Sequence, residues 1–398
     1  MSDPRKAQKV EAAEAKRRAE QLEEERRAAR LARAEARRER HAALARRLAR
    51  EVLYAGEGVS QLLHHIESDE AALARRGLPV LHDAADLAEL LEVDIRRLRW
   101  LTFHREVAAV THYRQFHIPK AKGGVRTIAA PRPALRAAQA RIRAELLQKL
   151  DVTAEAHAFV PGRSTLTNAR PHVGQAILVK ADIEDFFGTI TFPRVRGLFR
   201  SLGYSGMVST LLALLTTEAK RVAAEVDGAT LYVATGPRSL PQGALTSPEL
   251  TNQISRTLDH RLLGYARKHG WAYTRYADDL SFSRPDGERA AVGPLLGTIA
   301  RVLAGEGFRL NRDKVFVSRA GRQQRVTGIV VNRQTGLPRT QLRRFRAAVH
   351  RVGREGFRDE GERRRLLGYA AYVRMVKPEL GARLLAALAA APGRGGAS

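Results

Sequence analysis

The stretch Trp271-Ala272-Tyr273-Thr274-Arg275-Tyr276-Ala277-Asp278-Asp279-Leu280-Ser281-Phe282-Ser283 constrains this chain more than any other. Aromatic and hydroxyl side chains alternate on both sides of a break, the pattern of two short strands joined by a turn. Two adjacent acids, Asp278 and Asp279, occupy the break. Neighbouring strand residues point to opposite faces, so only a tight turn aims both carboxylates at one point. Like charges held that close repel and favour a cation beside them. An oxygen-coordinated divalent metal meets that need, and Mg2+ is the usual ion held by one or two carboxylates plus substrate phosphates. A solvated turn is the plain alternative, because Asp is a common turn residue.

A second stretch shifts the balance. Ala176 to Phe187 is an apolar run ending in acids and then two aromatics, which reads as a buried strand delivering Asp182 at its carboxyl end. If that strand pairs beside the hairpin, three carboxylates converge, as two-metal phosphoryl transfer requires. At this point the residues resemble the reverse transcriptases, whose palm carries an Asp on one strand and a Tyr-x-Asp-Asp hairpin on the next.

Composition sets the outer limits. The 398 residues, 44% hydrophobic, suffice for a large core in two or three domains. Lys and Arg number 69 against 42 acids, a net charge of +27, which predicts an acidic polymer as partner, nucleic acid before membrane. There is no long apolar segment or signal peptide, so no membrane association is expected. Cysteine is absent, which excludes disulfides and Cys-based zinc sites and fits a reducing cytoplasm.

Residues 1–77 differ in character from the rest of the chain. Up to Arg50 they are mostly Ala, Arg and Glu, with pairs such as Glu14 and Arg18 at helical spacing. Large apolar residues are few and show no heptad, so a long, solvated, basic helix is expected rather than a coiled coil. From Leu78 the pattern turns globular, with helical spacing around Leu87, Leu91, Leu98 and Leu101. Tyr113 to Pro131 then reads as a β-hairpin whose Gly123-Gly124 turn is tipped with positive charge. In the family, a hairpin like this folds over a triphosphate, and Lys120, Lys122 and Arg126 match its phosphate-contacting basic positions.

The resemblance assigns further residues by position. Phe187 matches the aromatic gate against a 2′-hydroxyl, Asp185 lies beside that pocket, and Ile183 would offer its backbone carbonyl to a metal. Ser239 to Leu250 reads as a loop becoming a helix, with Ser247 as N-cap and Pro248 in the first turn. Its Leu-Pro-Gln-Gly looks like the family motif that cradles the incoming nucleotide: Gln242 donates a hydrogen bond, and Gly243 lets the backbone approach a ligand. Lys314 resembles the basic residue near the triphosphate, a candidate acid for the leaving pyrophosphate.

Two strings narrow the resemblance to bacterial retron reverse transcriptases. They are Asn168-Ala169-x-x-His172, after a Pro-Gly-Arg-Ser loop that includes Arg163, and Val326-Thr327-Gly328, read here as a strand with a glycine kink. Arg163, Asn168 and His172 are expected at RNA, together with Arg343, Arg346 and Arg351 on a helix of the thumb whose other face carries Leu342, Phe345, Val349 and Val352. The tail from Pro392 reads as disordered.

The expectation is an α+β right-hand polymerase fold. It comprises a basic helical N-terminal extension (1–77), fingers and a palm of antiparallel sheet backed by helices (78–334), and a small helical thumb with its tail (335–398). The resemblance implies RNA-directed DNA synthesis from dNTPs with two Mg2+ ions held by Asp182 and Asp278 and supported by Asp279. It also implies a cognate structured non-coding RNA serving as template and 2′-hydroxyl primer, a branched RNA–DNA product (msDNA), and a separate effector protein acting in anti-phage defence. A group II intron, diversity-generating or other defence reverse transcriptase, or an RNA-binding scaffold with dispensable activity, are the alternatives.

Overall fold

The computed structural model describes residues 4–119 and 123–392, with side chains described from residue 16 onward except residue 19. Lys120 and Lys122 lie outside the described residues, as does the tail after Pro392.

The molecule is built on a four-stranded antiparallel sheet in the order 272–276, 279–284, 177–182, 316–319. The strand Ile177–Asp182 lies in the middle, and its side chains alternate between two cores. Ile177, Val179 and Ala181 point into the larger apolar cluster, while Leu178 joins a second cluster made with the C-terminal helices. A period of two along a strand requires this division. It also places Lys180 and Asp182 on the same face as Leu178. Packed among the helices 84–90, 95–102, 133–145 and 192–202 runs Gly206–Thr216, a helix buried along its whole length, as an apolar-all-round helix must be.

Strands Tyr113–Pro119 and Val125–Pro131 form the expected fingers hairpin, in register from Tyr113 opposite Pro131 to Pro119 opposite Val125. A second hairpin, Glu218–Val226 with Ala229–Ser239, projects nearby and pairs with Val107–Ala108. Its turn places Asp227 and Gly228 at φ of 49° and 76°, the positive pair that a two-residue hairpin turn demands.

The solvated N-terminal helix is one piece, Pro4–Arg50, and the stretch after it packs differently. Val52, Ala55, Val59, Leu63 and Leu73 are buried in the main core, so sparse apolar residues in a polar stretch were enough to dock it. The Val326-Thr327-Gly328 string is not a kinked strand. Arg325–Val326 pairs back on Ile329–Val330, and Thr327 and Gly328 form its turn at φ of 44° and 88°. Helices Arg339–Glu355, Glu360–Val376 and Pro378–Ala389 pack as the thumb. No helix among the described residues is long and apolar enough to cross a membrane.

Candidate active site

The acidic hairpin closes through Ala277 and Asp278, between Tyr276 and Asp279, which are register partners. Ala277 sits at φ 57°, a conformation that costs a residue with a Cβ of order 1 kcal/mol and persists only where its surroundings impose it. The constraint comes from beneath the turn. Arg275, fully buried, donates to the Ala277 carbonyl at 3.3 Å and to Asn252 Oδ1 at 3.2 Å. It also grips the buried Asp259 carboxylate in a two-point pair, at 2.8 and 2.7 Å. Tyr273 and Thr153 donate their hydroxyls to the same carboxylate, at 2.8 and 2.7 Å. Burial alone would push the Arg275 guanidinium down, and Asp259 holds it above its ordinary range. Nothing in the sequence pattern points to this support.

Across the ladder, Asp182 is the register partner of Asp279. Directly opposed residues of an antiparallel pair share one face, with Cβ atoms about 5 Å apart. Asp278 rides on the turn beside them, and its main-chain carbonyl accepts from the Ile183 amide at 3.0 Å. Residues nearly a hundred positions apart in the chain thus become neighbours across the ladder. Burial, followed by the charges of Asp279 and Asp182, pushes the Asp278 carboxyl up to about 6. Asp279 is raised too, burial again leading, although its side chain is more open to solvent and Lys180 opposes the shift. Lys314 lies on Asp182, donating to both carboxylate oxygens at 2.8 and 3.0 Å, and Asn311 adds a bond at 3.1 Å. The Asp182 contact leads in raising the Lys314 ammonium above its usual range.

This arrangement, a strand-end Asp beside an acidic turn under a basic side chain, suits phosphoryl transfer. Comparison with known proteins fixes which kind. Residues 118–345 match the reverse transcriptase (RNA-dependent DNA polymerase) family. The retron Mx65 reverse transcriptase of Myxococcus xanthus is 46% identical over 323 residues, spanning 81% of this chain and 75% of that one. This chain belongs to the retron reverse transcriptases. The retron Mx162 enzyme of the same organism is 44% identical over 78% of this chain and 67% of its own length. The retron Ec86 enzyme of Escherichia coli is 32% identical over 70% and 81%. The chain is therefore an RNA-directed DNA polymerase with a right-hand fold.

The donor set of this reverse transcriptase fits a divalent ion completed by substrate. It consists of hard carboxylate oxygens whose proton affinity is raised by burial and by one another's charge. Among the described residues no group of three or more His, Cys, Asp or Glu is placed to hold a metal ion by itself.

The remaining predicted residues fall in different places. Phe186 is core, against Phe308 at 5.5 Å, and Phe187 is half-buried beside it. Asp185 is exposed at φ 43°, 3.8 Å from Lys220, and its carboxylate folds back where any Cβ on Gly188 would collide with it. Gln242 is half-buried, and its main-chain carbonyl accepts from the Ala129 amide of the fingers hairpin at 2.7 Å. Gly243, at φ 114°, makes its close approach to that hairpin: a Cβ there would meet the Ala129 carbonyl at 2.9 Å. The nucleotide motif and the fingers are thus tied through main chain. The helix after it starts one residue earlier than expected, at Ser247 with Thr246 before it. Ser247 Oγ instead donates to the Pro241 carbonyl at 2.8 Å, closing the loop. Arg126 is exposed on the hairpin.

Four residues expected at RNA are engaged within the protein. Arg163 donates to the carbonyls of Thr153, Ala154 and Ala156, fastening its loop. His172 is fully buried, 2.7 Å from Ser283 Oγ and 2.8 Å from Thr274 Oγ1. Asn168, also buried, reaches Thr327 Oγ1 at 3.4 Å, and that hydroxyl donates to the Thr165 carbonyl. The two retron-like strings therefore meet each other, joining the palm sheet to the thumb-side core. Arg351 pairs with Glu362 at 2.6 Å inside the thumb, while Arg343 and Arg346 are exposed.

Proposed function

We propose that this polymerase copies a structured RNA encoded with it, starting from a 2′-hydroxyl of that RNA, and leaves a branched RNA–DNA product. The observation that carries the catalytic part of the reading is the register of Asp182 with Asp279, with Asp278 on the adjoining turn. In this reading Asp182, Asp278 and Asp279, with the Ile183 carbonyl, hold two Mg2+ ions. When bound, the ions lower the pKa of the attacking hydroxyl and offset charge on the leaving pyrophosphate. Lys314, already charged and poised on Asp182, turns to the leaving group as proton donor. Phe187 and Asp185 border the sugar, Gln242 supports the base pair, and Lys120, Lys122 and Arg126 track the phosphates of the dNTP. Arg343 and Arg346 are the thumb residues free to track the RNA backbone.

The retron relatives support the RNA-primed reading over an intron or diversity-generating one. A separate effector protein, anti-phage defence and a cytoplasmic setting rest on the family resemblance. The test is to purify the chain from its host and sequence the nucleic acid that comes with it. Branched RNA–DNA is expected, and intron RNA or RNA alone would overturn the assignment. In parallel, Asp278→Ala should abolish DNA product while leaving RNA binding nearly intact. Retained synthesis would remove the acidic turn from the mechanism.

A further inference from the structure

Away from the acidic turn, a cleft of about 160 Å3 opens between helix Ile95–Thr102, the strand segment Val107–Ala108 and the 218–239 hairpin. Its rim is aromatic and exposed. Trp100 is 43% and Phe103 36% accessible, and Tyr54, edge-on to Phe103 at 6.0 Å, is 56% accessible. Soluble surfaces rarely gather exposed aromatics without a partner. Each of the two cleft aromatics carries a guanidinium: Arg97 lies 4.2 Å over the Trp100 ring and Arg105 lies 4.8 Å over Phe103. Arg97 and Arg105 are exposed.

The floor is charged but has few donors to offer. Arg221 gives its nitrogens to Glu218 at 2.7 Å and to the carbonyls of Arg105, Glu106 and Tyr232. Arg238 binds the carbonyls of Leu214 and Thr217 and approaches His104. Three arginines against one glutamate line the cleft, so it presents a positive field and flat apolar faces without a set of hydrogen-bonding groups to read a base edge.

We propose that this cleft is a stacking site for an unpaired base of single-stranded RNA, separate from the polymerase centre. The proposal rests on the reading that the enzyme's partner is a structured RNA, which carries single-stranded segments. Aromatic faces and arginine planes beside a positive groove bind single strands through base stacking and phosphate attraction, with little sequence preference. An acidic or apolar protein segment would use the same charge but has no use for the paired guanidinium and ring planes. The site also touches machinery: Tyr113, the first residue of the fingers hairpin, lines the cleft, and the 229–239 strand leads straight into Leu240-Pro241-Gln242.

The test is a binding titration in the Asp278→Ala background, so that its outcome does not depend on DNA synthesis. A labelled short oligoadenylate and a blunt RNA duplex serve as probes. Trp100→Ala should weaken the single strand roughly tenfold, the size of one lost stacking contact, and leave the duplex unchanged. Trp100→Phe should restore most of the affinity. Arg97→Gln, an exposed change that spares the fold, should weaken the single strand in the same selective way. Unchanged single-strand affinity in both variants overturns the proposal, as does equal loss for single strand and duplex. Loss of a bound protein with RNA affinity intact would likewise overturn it.

Discussion

Arg275 and Asp259 support the turn that carries Asp278, although both are fully buried. Asp259 takes four hydrogen bonds and is fully buried, so truncating it strands a guanidinium in the core. Asp259→Ala should cost about 3–5 kcal/mol in urea unfolding. A loss of only a few tenths would show that the pair does not support the turn. Lys314 is the opposite kind of residue, partly exposed and bonded to Asp182. Lys314→Met should slow a single turnover about a hundredfold, the low end for a lost proton donor, with template affinity unchanged. Extension at the parental rate would exclude Lys314 from the chemistry. The acid trio is legible in the sequence because two members are adjacent and the third ends an apolar run. Arg275 and Asp259 are not. One sits in an alternating strand and the other on an ordinary helix face, and only the fold shows that they pair. The burial of Asn168 and His172, and the bonds of Arg163 to main-chain carbonyls, are likewise absent from their sequence pattern.

Among elements, the fingers hairpin is readable as two strand-like runs about a Gly-Gly segment, but its register is not: Pro119 pairs with Val125, with five residues between them where a two-residue Gly-Gly turn would leave two. The 218–239 hairpin carries an equally clear Asp227-Gly228 signal yet escapes pattern reading; its strands mix Ala, Lys, Arg and Glu, and exposed strands do not alternate cleanly. The joint between the Asn168–His172 segment and the sheet has a property that pattern alone could not reveal. His172 is enclosed between two hydroxyls, and burial holds its pKa down to about 4. Because the folded value lies below the unfolded one near 6.5, the native state resists protonation that the unfolded chain accepts. Stability is therefore complete above pH 6.5 and falls as the pH drops toward 4. Between pH 7 and pH 5 the loss from this residue alone should be about 2 kcal/mol. His157, also held down to about 4 by burial, adds to the same slope, though its partial exposure screens the effect. Urea unfolding at the two pH values checks this, and His172→Gln should flatten the dependence. An unchanged slope in that variant would mean the imidazole titrates normally.

At the scale of the whole molecule, the charge is unevenly placed. The helix Pro4–Arg50 carries sixteen Lys and Arg against eight Glu, and from Arg26 onward ten against two. Its described side chains are exposed on every side, so they offer no apolar face to dock with and contribute little to the core. The helix is tied down at its end, where Arg50 reaches Asp83 and Asp86 and Arg99 binds the Leu48 and Glu51 carbonyls. A rod with that charge distribution is suited to phosphates, near which each neutralising contact releases counterions and steepens the salt dependence of binding. Removing residues 1–45 should leave the thermal midpoint within about a degree of the parent, since none of the described side chains there is buried. RNA affinity should fall at low salt and converge with that of the parent at high salt, with a shallower slope of log K against log salt. If the slope is unchanged while the midpoint drops, the helix is a packing element and the basic arm has no electrostatic role. If both are unchanged, the excess of arginine there is compositional, and the RNA-binding charge must be sought on the thumb around Arg343 and Arg346.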